Sequence, residues 1–180
     1  MYIVAVISQS TWDTLYVILP IYGQQHHLSA SQVGTVFGTF SIFTLVVRLF
    51  LPAISRRTQP WQLLLFSLAG SALTYLGIPL TASMPPLLAL VAWLGIALGV
   101  AAPMLLIVIH AASPPERVGE AVGLRVTLMN GSQTAIPLLA GSLVSLLGLT
   151  AMFWAFAALF FGGAWINRDR WRAPKGAGRA

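Results

Sequence analysis

The sequence has no cysteine at all, which removes disulfides, thiolate nucleophiles and cysteine-ligated metal sites. Charge is nearly as scarce. Asp, Glu, Lys and Arg make up 8% of the 180 residues, where a soluble domain carries about a quarter, and that argues against a soluble fold. Polar/apolar alternation is missing as well, and with it the strand pattern of a transmembrane barrel. What is present is apolar. Hydrophobic residues make up 57% of the chain and gather into runs of roughly 20, the length that crosses a bilayer core of about 30 Å. Backbone groups surrounded by lipid must be satisfied inside their own segment, so these runs predict helices. The fold class is an all-α membrane protein with the lipid bilayer as its solvent.

A net charge of +6 could suggest nucleic acid. The basic residues, however, sit in the breaks between apolar runs and in the tail, with no patch interleaved with aromatics, and no nucleic-acid partner is expected. Apolar windows punctuated by Pro, Gly and capping residues divide residues 1–167 into six transmembrane helices, at about 1–22, 30–52, 60–80, 85–110, 119–147 and 150–167, followed by a basic tail at 168–180. Ser29 with Gln32 reads as a capping box opening the second span, and Ser113, Pro114 and Glu116 read as the start of the fifth. Only Pro103 and Pro137 fall inside spans; the other span-flanking prolines lie near ends, where a missing amide costs little.

Orientation follows from the positive charges, which are retained on the cytoplasmic side. Arg56 and Arg57 follow the second span, Arg117 the fourth, and Arg168, Arg170, Arg172, Lys175 and Arg179 form the tail. The alternate breaks at 23–29, 81–83 and 148 hold no Lys or Arg. Both termini are therefore expected in the cytoplasm, with Arg48 and Arg125 near the cytoplasmic ends of their spans and able to snorkel. Met1 already lies in the first apolar run without a basic anchor, which predicts that a further half precedes it.

Asp13 is the only acid deep in a span, and an ionised carboxylate there costs a few kcal/mol on insertion scales. Tyr2, Gln9, Asp13, Tyr16 and Pro20 recur at helical spacing and predict a polar face turned to water or protein. The alternative is an Asp that only hydrogen-bonds a neighbouring helix. The fifth span has a second stripe, Gly123, Thr127, Asn130, Thr134, Pro137 and Gly141 with Gln133 beside it, suited to substrate contact or equally to close helix packing. The candidate pathway is thus Asp13, Gln9, Tyr16, Asn130, Gln133 and Thr127. Gly34 with Gly38 and Gly95 with Gly99 are expected to serve packing. Pro103 frees the carbonyl of Gly99 and is a candidate hinge. Phe153, Trp154, Phe156, Phe160, Phe161 and Trp165 surround the last span, which is expected to face lipid.

No metal and no cofactor are expected: His26 and His27 lie together in a loop, and no third ligand completes a set. An intramembrane enzyme is not expected either, because neither G-x-S nor H-E-x-x-H occurs and no second carboxylate pairs with Asp13.

Leu19 to Gly23 (LPIYG) followed by Leu28 to Gly34 (LSASQVG) resembles the seventh-to-eighth helix region of bacterial major facilitator superfamily proteins. Pro52 to Arg57 (PAISRR) falls where that family repeats a loop motif of the form G-x-x-x-D-R-x-G-R-R. Arg48, Arg56 and Arg57 match its basic positions, while its Asp and Gly are replaced. Residues 114–125 (PPERVGEAVGLR) and 131–143 (GSQTAIPLLAGSL) resemble the tenth-to-eleventh helix region. The resemblance implies the C-terminal half of a twelve-helix major facilitator fold in a bacterial cytoplasmic membrane. It implies secondary active transport of a small-molecule substrate, efflux or uptake, in partnership with an N-terminal half or a second copy. The first, second, fourth and fifth spans would line the cavity or interface, and the third and sixth would be peripheral. Arg56 and Arg57 would anchor topology and gating rather than hold substrate. The competing expectation is an incomplete or non-transporting membrane subunit.

Overall fold

The computed structural model describes residues 2–81 and 83–167. The tail at 168–180 with its five basic residues, the start at Met1 and the Tyr2 side chain lie outside the described residues. Helices account for nearly all of the rest: α1 Tyr2–Gln25, α2 Ala30–Ser55, α3 Pro60–Gly77, α4 Met84–Ala112 and α5 Val118–Ile166, with 3-10 turns at Ile78–Leu80 and Pro115–Arg117. There is no strand among the described residues. The fifth and sixth predicted spans join in one element, α5, which turns at Gly148 (φ 82°, ψ 166°) into a first arm, 118–147, and a second arm, Gly148–Ile166. That backbone conformation is open essentially to glycine alone.

The helix starts obey local chemistry unevenly. At α2 the Ser29 hydroxyl accepts from the Gln32 amide (3.2 Å) and the Gln32 side chain accepts from the Ser29 amide (2.8 Å), completing the predicted capping box. The Gln62 side chain likewise accepts from the Gln59 amide at the start of α3 (3.1 Å). Ser113 departs from expectation: it ends α4 in an extended conformation and caps nothing. The chain first makes a 3-10 turn, in which the Arg117 amide donates to the Pro114 carbonyl (2.9 Å), and α5 begins without a side-chain cap. Pro20 and Pro52, expected near span ends, lie inside α1 and α2, because both helices run three residues past the predicted boundary.

Among the described residues four stretches are long and apolar enough to cross a membrane: Ala30–Ser55, Pro60–Leu80, Met84–Ala112 and Gly148–Ile166. The two helical segments outside that set are α1 and the first arm of α5, which carry the polar stripes.

Packing centres on α4, which holds α2 on one side and α3 on the other, while α5 lies against α1 and α3. One apolar core joins α1 to α3, α4 and the second arm through Leu15, Ile18, Tyr75, Leu94 and Phe160; a second gathers Leu51, Leu64, Met104 and Ile109. The Tyr75 hydroxyl crosses from α3 to the Thr11 carbonyl of α1 (2.8 Å) and satisfies a polar atom in an otherwise apolar interior. Within this chain α3 shares with α4 the greatest burial of the membrane-length helices among the described residues. The second arm also departs from a purely lipid-facing helix, since Phe153, Phe156 and Phe160 are buried while Trp154, Phe161 and Trp165 are exposed. Aromatic residues on all sides of a helix conceal which side is core.

The two glycine pairs have opposite fates. A Cβ on Gly95 would stand 2.6 Å from the Phe40 carbonyl oxygen, and one on Gly99 would strike Thr44 and Val47, so α2 and α4 approach closely there. Gly34 and Gly38 would place a Cβ with nothing within 4 Å of it. At the close crossing the Thr44 hydroxyl donates to the Gly95 carbonyl (3.2 Å) and Arg48 Nε to the Gly99 carbonyl (3.4 Å). The second acceptor is the carbonyl that Pro103 leaves without its helical amide. A break inside α4 is thus met by a side chain from α2.

Candidate functional site

Asp13 stands midway along α1, half-buried, where the helix packs on the first arm of α5. Gln9, one turn earlier on the same face, donates from Nε2 to Asp13 Oδ1 at 3.0 Å. Ser132 of the first arm reaches Asp13 Oδ2 at 3.4 Å. The same hydroxyl lies 2.8 Å from the Met129 carbonyl. A hydroxyl has one proton, and the shorter local bond is the better placed to take it. Asp13 therefore holds one firm hydrogen bond from the protein, and a carboxylate has roughly four acceptor positions. No basic side chain pairs with it among the described residues. The remaining lone pairs must face water, a proton or a ligand, because a carboxylate held away from water without partners is strongly unfavourable.

Tyr16, on the same face of α1 as Asp13, is half exposed. Its ring stacks on Phe37 of α2 (centroids 5.3 Å, interplanar angle 15°) and lies nearly parallel to Trp12 (6.4 Å, 18°). Trp12 in turn meets Phe40 edge-on at 4.8 Å. These four rings bridge α1 and α2, which otherwise scarcely touch. Offset stacking and edge contacts each contribute about 0.5–1.5 kcal/mol beyond area burial. The carboxylate is thus flanked by an aromatic ledge with one open ring.

Of the sequence candidates, Gln9, Asp13 and Tyr16 come together, and Thr127, Asn130 and Gln133 do not join them. Those three are exposed on the first arm. Thr127 donates to the Gly123 carbonyl of its own helix (3.1 Å). At 3.6 residues per turn, the neighbours two positions either side of Ser132 point away from α1 when Ser132 points toward it. The Thr127, Asn130 and Thr134 stripe is consequently a separate polar surface.

Ser132 is the residue sequence reasoning missed. It is 7% exposed in a helix whose surroundings are largely open, and it belongs to a quieter face, Val122, Arg125, Met129 and Ser132, at helical spacing. Arg125 is half-buried with its Nε unpartnered among the described residues, two turns or about 10 Å along the arm from Ser132. A mixed face of this kind does not stand out beside a stripe of Gly, Thr and Asn. Arg56 and Arg57 are exposed at the end of α2, remote from Asp13. Among the described residues no group of three His, Cys, Asp or Glu could hold a metal.

A family model described as Major Facilitator Superfamily matches residues 1–178 of the chain. No curated protein matches it.

Proposed function

The chain belongs to the major facilitator superfamily, and we propose that it is one six-helix half of a twelve-helix secondary transporter whose solute pathway passes Asp13. Membrane transport of a small solute is the family's province; the mode of transport and the half-transporter architecture are our reading. On it, α1 and the first arm of α5 cross the bilayer beside the four strongly apolar spans, despite their lower apolarity. They bear the polar residues because they face the pathway. The chain is the C-terminal half in a bacterial cytoplasmic membrane, has both termini in the cytoplasm, needs an N-terminal half or second copy, and has no enzymatic chemistry.

The observation that carries this proposal is the half-buried Asp13 carboxylate, held by Gln9 and grazed by Ser132, without a basic partner among the described residues. Such a group can take up and release a proton or a cationic group as access alternates between the two sides. Gln9 orients the carboxylate, and Tyr16 borders its open side. Asn130, Gln133 and Thr127 serve on the separate surface of the first arm, where the second bundle would close over them.

The test is transport by the complete transporter in proteoliposomes. Asp13→Asn keeps shape and hydrogen bonding and removes the charge, and it should abolish or uncouple transport while the protein still inserts. Wild-type transport with unchanged proton or cation dependence would overturn the coupling role. Lost insertion instead of lost transport would assign Asp13 to folding.

A further inference from the structure

The end of α2 carries a feature that the transport pathway does not use. Leu49, Pro52, Ala53, Arg56 and Arg57 line an open groove of about 440 Å³. It lies at the last turn of Ala30–Ser55, a helix apolar enough to span the membrane and the least buried of the four such stretches. The charge in the groove is of one sign. Arg56 and Arg57 are both exposed, and neither forms an ion pair among the described residues. The wall below them is apolar and open, with Leu49 70% and Leu45 61% exposed. At i, i+4 spacing, Leu45, Leu49 and Ala53 form one stripe running from the guanidinium pair toward the bilayer interior.

We infer that this groove binds one anionic phospholipid, with its phosphate on Arg56 and Arg57 and an acyl chain along Leu49 and Leu45. Two guanidiniums at a span end stand where headgroup phosphates lie, and guanidinium matches phosphate in a forked, bidentate geometry. The apolar stripe distinguishes a lipid from free phosphate, which would leave that wall uncovered. Pro52 and Ala53 bring no long side chain into the groove between Leu49 and the guanidinium pair. Basic pockets at the membrane face of helical bundles hold anionic headgroups on the same physical grounds.

Native mass spectrometry of the full chain, released from micelles with phosphatidylglycerol and phosphatidylcholine of matched acyl chains, tests the inference. Each Arg near an anionic surface contributes about five-fold in affinity, so the pair predicts roughly a twenty- to thirty-fold preference for phosphatidylglycerol at low salt. That preference should shrink as salt is raised. Arg56→Gln with Arg57→Gln should remove it, and Ala53→Trp, which fills the groove and leaves the charge intact, should weaken retention of the same lipid. Should the double variant fail to insert, Ala53→Trp decides alone. Equal retention of both lipids, phosphatidylglycerol bound normally by Ala53→Trp, or its displacement by millimolar glycerol phosphate would each overturn a lipid site, the last by showing an anion site without an acyl chain.

Discussion

Replacing Pro103 by alanine restores an amide that can donate to the Gly99 carbonyl, and that carbonyl is the one Arg48 Nε now reaches at 3.4 Å. The two substitutions should therefore be coupled. Arg48→Met alone removes the donor, orphans the carbonyl and also lifts a charge out of an apolar span. The last effect is favourable by up to about 2.5–3.5 kcal/mol at the centre of a bilayer and less near its edge, so the sign of the single-variant result identifies nothing. A double-mutant cycle cancels that contribution, because it is common to the wild-type and Pro103→Ala backgrounds. Hydrogen bonds to charged groups contribute about 1.5–3 kcal/mol in general, whereas interhelical bonds measured in membranes average about 0.6 and reach about 1.7. At 3.4 Å the bond is long, which places the expected coupling near 1 kcal/mol. Arg48→Met should cost that much less stability in Pro103→Ala than in the wild type. Equilibrium unfolding in mixed micelles, followed by circular dichroism, supplies the four free energies. Additivity within about 0.3–0.5 kcal/mol would refute the pairing.

The glycine pairs give a contrast between identical motifs. Gly95→Ala places a Cβ 2.6 Å from the Phe40 carbonyl and should cost about 1–3 kcal/mol in the same unfolding assay, whereas Gly34→Ala meets open space and should be neutral or stabilising by up to about 1 kcal/mol. Gly148→Ala forces a side chain to φ 82° and should cost about 1–3 kcal/mol. Tyr75→Phe deletes the buried bond to the Thr11 carbonyl and should lower stability by about 1 kcal/mol. Gln9→Leu should impair transport more than Ser132→Ala, because Gln9 holds Asp13 at 3.0 Å and Ser132 lies at 3.4 Å; equal losses would count against that ranking. Reporters fused at His27 or Ser83 should read as periplasmic, and a cytoplasmic signal at either would reverse the proposed orientation.

Composition alone decides the solvent and the class of backbone structure: a chain 8% charged and 57% hydrophobic leaves its amides to helices wherever it meets lipid. Local chemistry decides where several helices begin, as at Ser29, where donor and acceptor lie within four residues of each other. The orphaned carbonyl at Gly99 was legible for the same reason, since a proline names its own missing partner four residues back. The identity of the group that meets it, Arg48 from 51 positions away, is set by how α2 crosses α4, and no periodicity encodes a crossing. Asp13 was legible as a charge out of place. Its neighbour Ser132, 119 residues distant, was not, because which face of the first arm turns toward α1 depends on the bend at Gly148 and the packing of the second arm. Sequence pattern reports what a helix carries on each side. Only the assembled bundle decides which side is inward, so one glycine pair became a crossing point and its twin an open surface.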